Sequence, residues 1–80
     1  MLTTAFVLIN SELGKEDDII ENLKHMDSVK EVHGTFGAYD VVAKVEHDEK
    51  DKLREVITWG IRKIDHVRST LTLMGIDGQS

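Results

Sequence analysis

The chain has no cysteine, which excludes disulfides, thiolate metal sites and thiol redox chemistry together. Basic character is also lacking: ten Lys and Arg are scattered among fifteen Asp and Glu, for a net charge of −5. Proteins that grip phosphate backbones need clustered cations to displace counterions, so no direct nucleic-acid contact is expected. Aromatics are few, and an RNA-recognition sheet would have only Phe36 and Tyr39 for stacking. There is no long apolar run, and Met1-Leu2-Thr3-Thr4 shows no basic leader. Neither a membrane span nor a signal peptide is expected, and the cytoplasm is the expected location.

What is present is an ordinary globular composition, 40% hydrophobic and 31% charged. Eighty residues make one domain, 1–80. A domain of this size buries only about 60% of the surface its unfolded chain exposes. A lone core of this size seldom supplies more than about 3–5 kcal/mol. With no disulfide available, and with His25, His33, His47 and His66 in no ligand spacing, self-association is the expected support and neither metal nor cofactor is expected.

Thr3 to Ile9 reads as a strand that is apolar toward both faces, with Phe6 and Leu8 on one and Ala5, Val7 and Ile9 on the other. A helix follows from about Lys15 to Met26. Ile19, Ile20, Leu23 and Met26 form its stripe, with acids in the first turn and Lys24 and His25 in the last. Ser28 to Glu46 reads as a hairpin turning at Gly37-Ala38, where glycine suits a type II′ turn. Setting Phe36 opposite Tyr39 pairs Glu31 with Lys44, Val32 with Ala43, His33 with Val42, Gly34 with Val41 and Thr35 with Asp40. A second helix runs from about Asp48 to Ile64, with Asp48 and Asp51 as a capping pair. Gly60 lies in its buried stripe, where it is expected to allow close approach of helix and sheet, and Trp59 lies off that stripe. A last strand spans Val67 to Met74, and Gly75 to Ser80 is expected to fray.

The order β-α-β-β-α-β implies an α+β, ferredoxin-like fold: a four-stranded antiparallel sheet with two helices on one face. The other face is left open. The expected patch there is Phe6, Leu8, Val42 and Met74, although alternation alone leaves open which side of the first strand faces the helices. An exposed apolar patch marks an interface, and pairing two sheets about a twofold axis gives a dimeric sandwich. Thr35, Asp40, Arg68, Thr70 and Thr72 are expected on the same face. They suit a small polar metabolite at a subunit junction, or simply a solvated surface. Asp40, His33 and Arg68 also admit a small dimeric enzyme of monooxygenase type. No nucleophile–base pair, phosphate loop or cofactor motif supports one, and no catalytic residue is assigned.

The segment Val32-His-Gly-Thr-Phe-Gly-Ala-Tyr-Asp-Val-Val-Ala-Lys-Val-Glu46, a long second helix, and Arg68-Ser-Thr-Leu-Thr-Leu-Met74 resemble the C-terminal effector-binding (RAM) domain of Lrp/AsnC regulators. An ACT-like regulatory domain fits these segments less well. The resemblance covers about Leu2 to Met74. It implies a homodimer that often assembles further, and an amino-acid effector near the hairpin turn at a junction between subunits. On that match the effector residues are Gly37, Ala38, Tyr39 and Asp40, with Thr70 and Thr72 nearby. Turn amides at Gly37 and Ala38 would hold the effector's carboxylate, Asp40 its ammonium, and the threonines a polar side chain. The family's usual regulators carry an N-terminal helix-turn-helix, whereas this sequence opens on the first strand. The resemblance therefore implies a stand-alone domain that senses an amino acid, associates with full-length Lrp/AsnC regulators, or both.

Overall fold

A computed structural model describes residues 2–76. Its elements are β1 (Thr3–Ser11), α1 (Glu16–Lys24), β2 (Val29–Gly34), β3 (Val41–His47), α2 (Lys50–Glu55) and β4 (Val67–Met74). Between α2 and β4 the helical path continues as a π-helical turn, Val56–Gly60, and a 3₁₀ turn, Ile61–Lys63. The four strands form one sheet in the order β2-β3-β1-β4, and each neighbouring pair is antiparallel. This is the expected ferredoxin-like βαββαβ topology.

Burial settles which side of β1 meets the helices. Ala5, Val7 and Ile9 are fully buried, opposite Val45, Ala43 and Val41 of β3. Ile19 and Leu23 of α1 cover them, together with Leu53, Ile57 and Ile61 of the second helical path. The hairpin register is the expected one, with Glu31↔Lys44, Val32↔Ala43, His33↔Val42 and Gly34↔Val41. The Thr35 amide donates to the Asp40 carbonyl at 2.8 Å, and the Thr35 hydroxyl donates to the Tyr39 carbonyl at 2.7 Å. Gly37 takes φ +125° at the tip, a conformation that side chains resist. The ladder stops short of Phe36 and Tyr39, because the Asp40 amide donates instead to the Ile9 carbonyl of β1.

Several expectations need correction. β4 has the opposite phase. Thr70, Thr72 and Met74 pair with Ile9, Val7 and Ala5 and so lie on the helix-covered side, where Met74 packs against the core. Met74 therefore does not belong to the open face, and neither threonine does. Leu71 and Leu73 take their place opposite Leu8 and Phe6. At the start of the second helix Glu49 is the N-cap, without a side-chain cap, and its amide donates to His47 Nδ1 at 3.0 Å, so Asp48 and Asp51 form no capping pair. Gly60 allows close approach to α1's end rather than to the sheet: a Cβ there would lie 2.6 Å from Met26 Cε. Gly75 continues the sheet by donating to the Thr4 carbonyl at 2.7 Å. The rest of the expected frayed tail, Asp77 to Ser80, lies outside the described residues.

Candidate ligand clefts and the open face

The open face is divided lengthwise. Its β2–β3 half carries a charged ladder. Lys44 Nζ stands 3.5 Å from Glu31 and 3.8 Å from Glu46, His33 Nε2 is 3.2 Å from Glu31, and the Thr4 hydroxyl donates to Glu46 at 3.1 Å. The hydrogen bond with His33, and then those from Lys44, hold the Glu31 carboxyl below the usual carboxylate range. The β1–β4 half is apolar. Phe6 is 41% exposed, Leu71 46% and Leu73 50%, with Leu8 half-buried beside Leu71 and half-buried Val42 of β3 flanking Leu8 on its other side. Of the expected interface residues, Phe6, Leu8 and Val42 lie on this face. Missing Leu71 and Leu73 followed from the wrong phase for β4.

At one end of the sheet a cleft of about 360 Å³ is lined by Asn10, Ser11, Asp40, Arg68 and Ser69. Its geometry comes from a β-bulge. Asn10 pairs with Ser69 but Ser11 pairs with Val67, so Arg68 is the extra residue on β4. A bulge bends its strand and re-aims the extra side chain. Just before it, His66 sits at φ 76°, uncommon for a residue with a Cβ, and its carbonyl accepts from the Glu12 amide at 2.8 Å. These distortions put Arg68 in the same cleft as Asp40. The Asp40 carboxylate accepts from the Ser11 amide through Oδ2 at 2.9 Å, which fixes its position. Asn10 Nδ2 donates to the Ser69 hydroxyl at 3.2 Å on the facing wall.

The expected effector residues are thus divided. Gly37, Ala38 and Tyr39 form the hairpin tip beside Asp40. Thr70 and Thr72 line a different cleft, about 430 Å³, between the second helical path and β4. Arg68 was expected on the same face as Asp40, as part of a surface for a small polar metabolite, whereas Asn10, Ser11 and Ser69 were given no role in binding. Only the start of the Arg68-Ser-Thr segment pointed toward them. Among the described residues no group of His, Asp and Glu could hold a metal ion, and no helix is long and apolar enough to cross a membrane.

A βαββαβ sheet with an open face apolar along one half, and polar clefts at its margins, has the architecture of a small ligand-binding domain. Residues 4–77 match the Lrp/AsnC ligand binding domain, and the chain belongs to that family. The match displaces the monooxygenase-type and ACT-like alternatives. The chain is 31% identical over 70 residues to the HTH-type transcriptional regulator FL11 of Pyrococcus abyssi, and it spans 46% of that protein's length. Among solved structures, FFRP-DM1 superposes with a TM-score of 0.89 at 39% identity, covering 92% of this chain and 99% of that one. The hypothetical protein PHS023 from Pyrococcus horikoshii superposes at 0.87 with 39% identity, covering 92% and 89%.

Proposed function

We propose that this domain senses a free amino acid and works as a homodimer of face-to-face sheets, in the cytoplasm. The observation that carries the reading is the cleft in which Asp40 and Arg68 stand together. A carboxylate and a guanidinium across a small cleft match the ammonium and carboxylate of an amino-acid zwitterion, each by charge-assisted hydrogen bonds. Asp40 keeps the role expected for it, and Arg68 joins or replaces the turn amides of Gly37 and Ala38 as the carboxylate's partner. Leu13, 97% exposed in the turn after β1, and Phe36, 100% exposed at the hairpin tip, belong to the loops at this same end of the sheet. Large apolar side chains left so exposed favour closure of the cleft by another copy.

A chain of similar extent occurs in FFRP-DM1, of which this domain covers 99%. Full-length regulators such as FL11 are the partners through which the domain would influence transcription. A thermal-shift screen of the twenty amino acids, run with mass measurement in solution, tests the proposal. A ligand at 100 times its dissociation constant stabilises by about 2.7 kcal/mol. Asp40→Ala and Arg68→Gln should each remove about 1.5–3 kcal/mol of binding, the worth of a charged hydrogen bond. Shifts absent for every amino acid, or undiminished in both variants, would end the assignment.

A further inference from the structure

We propose that the cleft between the second helical path and β4 is a separate binding site for a small dicarboxylate with a short aliphatic spacer. It does not depend on the amino-acid reading of the Asp40–Arg68 cleft. In a chain of net charge −5, Arg54 and Arg62 line this one cleft. Neither forms an ion pair among the described residues, although carboxylates abound. Thr58, Thr70 and Thr72 add hydroxyls to the same walls. Thr70 and Thr72 stand on the side of β4 that faces the helices, where a core would ordinarily call for apolar residues. A polar occupant explains threonine there.

The backbone between the two arginines is unusual. In a regular α-helix, residues eight apart lie about 12 Å apart along the axis and about 80° out of line. Here the π-helical turn Val56–Gly60 intervenes and changes the winding. Two of its residues, Ile57 and Thr58, form part of the cleft wall. Such turns recur at functional sites. A guanidinium fork grips a carboxylate through two parallel hydrogen bonds. Two forks on well-separated backbone positions, with Ile57 and Met74 lining the cleft as well, match a ligand charged at both ends and apolar in the middle. A lone phosphate would engage only one fork.

Titration calorimetry of the native chain at low salt, with succinate, glutarate, butyrate and inorganic phosphate, tests the proposal. Succinate or glutarate should bind at one site per chain and weaken as salt is raised. Arg54→Gln and Arg62→Gln should each lose about ten- to a hundredfold in affinity, with unchanged melting in the absence of ligand. Asp40→Ala should bind the dicarboxylate as the native chain does, even if the amino-acid screen is blank. The proposal is overturned if neither dicarboxylate binds, if binding survives both arginine substitutions, or if butyrate or phosphate binds as tightly.

Discussion

Replacing Leu73 by lysine probes the proposed pairing of sheets at the most exposed apolar side chain of the open face's β1–β4 half. Fully burying a leucine side chain is worth about 1.5–3 kcal/mol. Leu73 is 50% exposed in the monomer, so about 1 kcal/mol per copy remains to be gained on its open face. A twofold axis counts each substitution twice, which brings the loss to about 2 kcal/mol per dimer. An ammonium forced into the interface, or one that must bend out to water, adds to that. The dimer dissociation constant should therefore rise at least about 30-fold. Equilibrium sedimentation over a dilution series reads this directly. The monomer's own fold should survive, since exposed substitutions away from special features stay within about 0.5 kcal/mol. Glu21→Lys, on the exposed side of α1 and away from the open face, serves as the control and should leave the dimer intact. The reasoning fails if native protein sediments as single subunits at high micromolar concentration, or if Leu73→Lys dimerises as tightly as native.

Other consequences concern the single subunit. Leu23 is fully buried on the inner face of α1, so Leu23→Ala should cost about 2–5 kcal/mol in a urea melt at fixed protein concentration; a loss below about 1 kcal/mol would show that the site collapses freely. Gly60→Ala should be close to neutral alone, because a gain of about 1 kcal/mol in helix propensity is set against displacement of Met26 Cε. In a Met26→Ala background that gain should appear, and strict additivity of the two substitutions would contradict the contact. The Glu31 carboxyl should titrate below the usual carboxylate range by NMR, and Lys44→Gln or His33→Gln should raise its midpoint. Because the folded-state value is depressed, the stabilisation from Glu31 is present above the unfolded-state value. It is lost as pH falls through the depressed one. An ordinary midpoint for Glu31 in the native chain would remove the ladder's electrostatic role.

The hairpin was legible residue by residue because two independent constraints agreed. Gly37 fixes where the chain can reverse, and a one-residue slip would have mixed Val32 and Ala43 with the charged set. α1 was legible because its stripe and its charge order coincide. The capping of the second helix was not, since the His47 ring supplies the acceptor from outside the helix. Its π-helical turn leaves no mark in a stripe read at a period of 3.6. The clefts were legible only in part: Asp40 stood out by its place beside the turn, whereas Arg68 reaches it through a bulge that alternation does not reveal.

The misreading of β4 carries the most physical content. Arg68, Thr70, Thr72 and Met74 were expected on the open face. The chain does the reverse, turning half-buried Thr70 and Thr72 toward the helices and presenting Leu71 and Leu73 to the open face. For an isolated subunit this arrangement wastes the hydrophobic effect, because two leucines stay half in water while hydroxyls take up the inner side. It becomes favourable when the open face is covered by a second sheet and the inner threonines meet a polar ligand. Both conditions are the ones proposed here, and they arise from the same two-residue alternation. A Leu71→Thr, Thr72→Leu exchange would separate them: it should raise the stability of the monomer while weakening both the dimer and the dicarboxylate site. If the exchange left the dimer and that site as they are, the phase of β4 would have no functional meaning.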